Sequence, residues 1–180
     1  MTKKMWWTAA AAAAGTLVVS GLVLLILVYS GAYNVSAAVG HTTFGRWALT
    51  TMMRNSVEAR AGTEAPQFTP AMIRAGATEY KAMCQHCRGG PGVSRAEWAR
   101  GIVPRPPDLT QAATEWEPGE IHWIVTNGIK MTAMPSFGQT HDEQTIWNIT
   151  AFVKQLPAMT PQEYAAFPSG GHGGSGGHSH

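Results

Sequence analysis

Apolar residues run almost unbroken from Trp6 to Val28 and become periodic only further along the chain. The run opens on the alanines Ala9 to Ala14 and closes on Leu22-Val23-Leu24-Leu25-Ile26-Leu27-Val28. A membrane-spanning helix needs roughly 20 such residues, so residues 1–30 are expected to be a short cytoplasmic start followed by one transmembrane helix. Lys3 and Lys4 stand before the run, and Trp6, Trp7 and Tyr29 at its ends. The positive-inside bias then leaves the N-terminus in the cytoplasm and the rest of the chain outside it. The competing reading is a cleaved signal peptide, with Val35-Ser36-Ala37 as the small-residue site. It fits less well, because the run exceeds the roughly 7–15 residues of a signal core.

Past a linker from Gly31 to Gly40, His41-Thr42-Thr43 reads as the cap of an amphipathic helix. It carries Phe44, Trp47, Ala48, Met52 and Val57 and extends to about Arg60. A second linker spans Gly62 to Thr69, so 31–69 is expected to be a linker holding one short helix. Three helices are then expected in a compact region, 70–167. The first starts at Thr69-Pro70, with Thr as N-cap and Pro at the first helical position. Ile73, Ala77, Tyr80 and Cys84 share one of its faces, and Gly76 leaves room for a close helix contact. The second covers Glu120 to Thr126, between Pro118-Gly119 and Asn127-Gly128. The third opens with Thr140-His141-Asp142-Glu143, a capping-box pattern. It carries Ile146, Trp147, Thr150, Val153 and Leu156 and stops at Pro157. No segment alternates as a strand does, so the fold class expected is all-α. A helical unit of about 90 residues is small for an unaided core, which suggests a bulky cofactor in its middle. Residues 168–180 form a flexible Gly/His tail that cannot build a core.

Composition narrows the function. The chain has 13 Lys+Arg against 11 Asp+Glu, a formal net charge of +2. That argues against a nucleic-acid binder, which needs a positive excess to neutralise phosphates. With 44% hydrophobic residues the chain is also no disordered acidic tail. Two cysteines are too few for a disulfide-dense secreted scaffold, yet in an oxidising compartment two neighbouring thiols need a reason to exist. Those two are Cys84 and Cys87, in Cys84-Gln85-His86-Cys87. A thioredoxin-like pair would need a βαβ context. A zinc site would need two more ligands at suitable spacing. A plain disulfide and thioether attachment of haem complete the four readings.

The surrounding residues resemble a known family. Tyr80-Lys81-Ala82-Met83-Cys84-Gln85-His86-Cys87-Arg88-Gly89-Gly90-Pro91-Gly92-Val93 is similar to the haem-attachment segment of a class I c-type cytochrome. Pro104-Arg105-Pro106-Pro107-Asp108-Leu109 resembles the proline loop along the haem, and Asn127 to Phe137 resembles the loop bearing the methionine ligand. Ile146 to Leu156 is similar to the C-terminal helix that crosses the first one near Gly76 and Tyr80. The resemblance covers roughly residues 70 to 160 in order. It implies a class I cytochrome c fold behind a single transmembrane helix. It further implies one haem c held covalently by Cys84 and Cys87, with Met134 as axial iron ligand and Met131 as the alternative.

The sequence departs from the family at one decisive position. The residue after the second cysteine, the family's proximal histidine, is Arg88 here. A guanidinium stays protonated and offers no lone pair to iron. His86 is one residue away from Cys87, but adjacent residues are turned about 100° around a helix. Three outcomes follow. Haem is attached with Met134 and a weak or recruited second ligand; haem is absent from a cytochrome-shaped accessory subunit; or Arg88 is a one-base change from His.

The resemblance implies an electron carrier rather than an enzyme. Peroxidase or gas-binding activity would follow only if the iron has an open site. Expected partners are the inner membrane and a periplasmic redox protein or membrane oxidoreductase complex, with no small-molecule substrate and no nucleic acid. Arg105 is a candidate for a haem propionate. Trp123, Trp147, Tyr80 and Phe152 are read as core or cofactor-packing aromatics, and His122 and His141 as surface or cap residues. Arg74, Lys81, Arg88, Arg95, Arg100 and Arg105 gather before the proline loop, whereas Asp108 to Glu163 is mostly acidic, an asymmetry that could orient the domain on its partner. His172, His178 and His180 could bind copper or zinc loosely.

Overall fold

Thr2 leads directly into a helix, α1 (Lys3–Tyr29), in the computed structural model, which describes residues 2–62 and 64–169. The chain divides into two units, Met1–Val39 and Gly40–His180. In the first unit, α1 is about 40 Å long at 1.5 Å per residue, more than the ~30 Å hydrocarbon core of a bilayer. By length and composition it is able to cross a membrane. None of its side chains is buried within the chain. Thr8 and Thr16 donate their hydroxyls back to the Lys4 and Ala12 carbonyls, so these two polar groups are satisfied inside the helix, as a lipid environment requires.

The second unit begins with α2 (Thr43–Glu58), capped by Thr42, whose hydroxyl accepts from the Gly45 amide at 3.1 Å. The unit boundary therefore falls inside the segment read as linker, and the linker helix is part of the larger unit. The reason is its C-terminal half: Val57 is fully buried, and Arg54 pairs with Glu115 and lies over the Trp116 ring at 4.8 Å.

Thr69 caps α3 (Pro70–Glu79), accepting from the Met72 amide at 3.2 Å, with Pro70 at the first position. This helix runs into a π-helical turn (Tyr80–Cys84) and then α4 (Gln85–Arg88). Two longer loops and short turns lead through α5 (Leu109–Ala112) to α6 (Pro118–Asn127), closed at its start by a capping box between Glu117 and Glu120. Next comes α7 (Glu143–Gln155), whose inner face is Ile146, Ile149, Thr150, Phe152 and Val153. The expected capping box from Thr140 is not formed. Thr140 closes a 3-10 turn over Phe137–Gln139, leaving Asp142 to cap, its carboxylate accepting from the Thr145 amide at 2.7 Å. A final helix, α8 (Pro161–Ala166), is boxed by Thr160 and Glu163. Among the described residues there is no strand, only the isolated bridges Gly90–Val93 and Ile129–Met134.

The core lies where α3 crosses α7. A Cβ on Gly76 would stand 1.9 Å from the Asn148 carbonyl oxygen, so only glycine permits this approach. Just beyond the crossing, the Tyr80 ring packs on Phe152 at 5.3 Å and edge-on against Tyr164 at 6.5 Å. Burying three aromatics at one junction gives the small unit a dense centre, since each ring removes a large apolar area from water.

Candidate functional site

Cys84 and Cys87 stand where the first helix of the domain changes its winding. The π-helical turn sends the Gln85 amide to the Tyr80 carbonyl, and α4 follows in α geometry. Such single π turns inside helices are frequent at functional sites. The segment is tied from three sides. The Tyr80 hydroxyl donates to the Gly89 carbonyl at 2.9 Å, and the Tyr164 hydroxyl donates to Gln85 Oε1 at 2.6 Å. The Ala96 amide donates to the His86 carbonyl at 2.9 Å. Gly89 ends α4 at φ 75°, a left-handed conformation that a side chain would strain, and a Cβ there would meet the Val93 carbonyl at 2.7 Å.

Both cysteines are free thiols and both are half-buried. Burial pushes the Cys84 thiol up to about 12, opposed by the Arg88 guanidinium and reinforced by Cys87. A thiol held protonated in this way is a poor nucleophile, which, with no strand among the described residues, removes the support for a thioredoxin-like pair. Among the described residues no group of three or more His, Cys, Asp and Glu side chains could hold a metal ion.

Met134 reaches the same place from the other side of the domain. The Ile129 amide donates to the Met134 carbonyl at 3.2 Å, closing a narrow loop. Inside it the Thr132 hydroxyl donates to the Ile129 carbonyl at 2.8 Å and accepts from the Met134 amide at 3.1 Å. Ser136 ties the loop to α6 through the Thr126 carbonyl at 2.8 Å. The Met134 side chain packs on the core, and Arg88 Nη2 donates to its Sδ at 3.4 Å. Met131, the alternative ligand, sits at the loop tip, 93% exposed and with φ 57°.

The other candidates are dispersed. His86 and Arg105 are exposed. His122 stacks on Trp147 with ring centroids 3.9 Å apart, and its Nε2 is buried with no hydrogen-bond partner, so it is neither a surface nor a cap residue. His141 lies edge-on to Phe137 and beside the Thr140 hydroxyl. The basic group before the proline loop is not one surface. Lys81 is buried, donating to the Phe167 carbonyl at 2.6 Å beneath the Tyr164 ring, and Arg88 is turned inward to Met134. His172, His178 and His180 lie outside the described residues.

Two residues were missed by sequence reasoning. Tyr164 clamps Gln85 from α8; its only sequence signal was the Thr160–Glu163 capping spacing ahead of it. Arg95 was noted only for its charge, yet its Nη1 is buried without a hydrogen-bond partner.

The residues fit a haem in one respect and not in another. Two unpaired thiols one helical turn apart fit thioether attachment, and the orphaned Arg95 donor would be satisfied by an acid group on such a cofactor. The axial positions do not fit. An iron between two donors would hold them apart, whereas Arg88 and Met134 touch directly. Arg88 also has no lone pair to give.

Helices crossing at Gly76, a Cys-x-x-Cys turn ending the first of them and a methionine loop facing it agree with the resemblance to c-type cytochromes. The fold is the all-α class I cytochrome c fold, preceded by one apolar helix long enough to cross a membrane. Residues 71–153 match the family described as Cytochrome C oxidase, cbb3-type, subunit III. No curated protein matches the chain.

Proposed function

We propose that this protein is a membrane-anchored c-type cytochrome of the periplasmic side, carrying one haem on Cys84 and Cys87. It passes electrons to or from a membrane oxidoreductase complex. The observation that carries this reading is the pair of free thiols, fixed by Tyr80 and Tyr164, opposite the Met134 loop within a stretch that matches an oxidase subunit family. Haem c, when bound, supplies one-electron exchange at its iron. The chain's own share is to hold the attachment turn rigid, to satisfy an acidic edge through Arg95 and to shield the site with the Met134 loop. α1 behind Lys3 and Lys4 would place the domain outside the cytoplasm. Intact mass of the purified full chain, together with a haem stain after denaturing electrophoresis, tests this. A chain heavier by one haem is expected; a mass equal to the bare polypeptide would sink it.

The Arg88–Met134 contact favours a second reading, a haem-free accessory subunit that keeps the cytochrome shape. The same mass measurement separates the two.

A further inference from the structure

The outer side of α2 is apolar and uncovered. Successive residues turn about 100° around a helix, which sets Phe44, Ala48 and Met52 on one side and Met53 and Val57 on the other, with Trp47 and Arg54 next to each other at the border between them. The second side and the border hold the helix to its unit, through buried Val57 and the Arg54 contacts with Glu115 and Trp116. The large apolar side chains of the first side and the border are uncovered: Phe44 is 74% exposed, and Trp47 and Met52 are each 62% exposed, while the small Ala48 between them is half-buried. The Phe44 and Trp47 rings lie 5.6 Å apart and form one continuous patch.

Three observations indicate what covers it. The patch contains the residue types that settle at the headgroup level of a bilayer, Trp above all. No Asp or Glu occurs anywhere before Glu58, whereas Arg46 is exposed on α2. An anionic lipid surface would therefore meet no repulsion. The connector from α1 is short and uncharged: residues 30–42 can reach at most about 45 Å when fully extended, and Tyr33, Val35 and Val39 along it are exposed apolar side chains. A helix tethered so close to a spanning segment meets the bilayer surface at high effective concentration.

We propose that α2 lies in the headgroup layer of the membrane that α1 spans, with Phe44, Trp47 and Met52 facing lipid. The helix is then a second, interfacial foot of the protein, and its rigid seat on Arg54 and Val57 transmits that orientation to the domain. This rests on the anchor proposed above.

The test uses the full chain in nanodiscs of phosphatidylcholine and phosphatidylglycerol. A p-benzoylphenylalanine photoprobe is placed in turn at the positions of Phe44, Trp47, Val23 and Trp98. Trp98 is 64% exposed on the domain and serves as the reference for random encounters. All four side chains are exposed, so the probe replaces nothing in the core. Expected are adducts of phospholipid mass at Phe44, Trp47 and Val23, and none above background at Trp98. Lipid at Val23 but not at Phe44 or Trp47 would overturn the interfacial helix and leave the anchor standing. Protein adducts in place of lipid at Phe44 and Trp47, or equal lipid labelling at Trp98, would also overturn it. Absence of lipid at Val23 as well would remove both the anchor and the inference.

Discussion

Arg88 Nη2 donates to Met134 Sδ at 3.4 Å, joining the residue after Cys87 to a methionine 46 positions further along the chain. These are the two places where the family resemblance puts the axial ligands of an iron. Here a cation faces a thioether, which is a weak acceptor. Among the described residues Arg88 forms no ion pair with a carboxylate, and burial lowers its pKa. The protein thus holds a half-buried charge with a poor partner at the point where the family resemblance puts an iron.

Changing Arg88→His should convert the site. If haem is attached to the native chain, the lack of a nitrogen donor at position 88 should leave the iron at least partly high-spin and open to added imidazole or cyanide. The new imidazole would stand where the end of α4 already presents residue 88, so the variant should be low-spin and more fully loaded with haem. Absorption spectra of the two proteins decide this. A native low-spin spectrum that disappears in His86→Ala would instead assign the second ligand to His86.

Gly76→Ala should unfold the domain at a markedly lower temperature. The added methyl would lie 1.9 Å from the Asn148 carbonyl oxygen, and that oxygen belongs to the backbone of α7 and cannot swing aside. Overpacking of this kind costs about 1–3 kcal/mol or more. For a domain of this size each kcal/mol lowers the midpoint by roughly 4–8 °C. A thermal melt matching that of the unchanged protein would show that the two helices do not cross there.

Tyr80→Phe isolates one hydrogen bond. The ring would keep its contacts with Phe152 and Tyr164, but the buried Gly89 carbonyl would lose its donor. An unsatisfied buried acceptor costs about 1–3 kcal/mol. The loss should concentrate in the turn after Arg88, where exchange of the Gly89, Gly90, Gly92 and Val93 amide hydrogens should quicken more than that of α7. Uniform acceleration across the domain would point to a general packing defect instead.

Most of the helical framework was legible, because Thr69-Pro70, Pro118 and the apolar spacing of Ile146 to Leu156 are local signals. Gly76 was legible for the same reason: a small residue on an apolar helix face marks a close approach. The site was legible only through resemblance. Nothing local to Cys84 announces a π turn. The sequence offers two capping residues for α7, Thr140 and Asp142, and only the 3-10 turn over Phe137–Gln139 decides between them. α8 was absent from the reading since a helix this short has no periodicity to detect. The seating of α2 depends on Arg54 meeting Glu115 and Trp116 some 60 positions away, a pairing that no local pattern encodes.

His122 should make the domain's stability depend on pH. Its ring stacks on Trp147 at an interplanar angle of 21°, and Nε2 is buried without a partner. Burial lowers its pKa below the ordinary value of 6.5, with Glu143 opposing the shift. In the window below 6.5 the unfolded chain binds a proton at this residue that the folded chain refuses, so protons favour unfolding there. The contribution of neutral His122 is complete above 6.5 and is lost as the pH falls towards its lowered folded value. His122→Phe retains a flat ring against Trp147 and removes the titration. Unfolding midpoints of both proteins, followed from about pH 8 down to about pH 5, should run together at the upper end and separate below 6.5, with the unchanged protein falling faster. Parallel curves across the whole range would mean that the buried nitrogen reaches water after all.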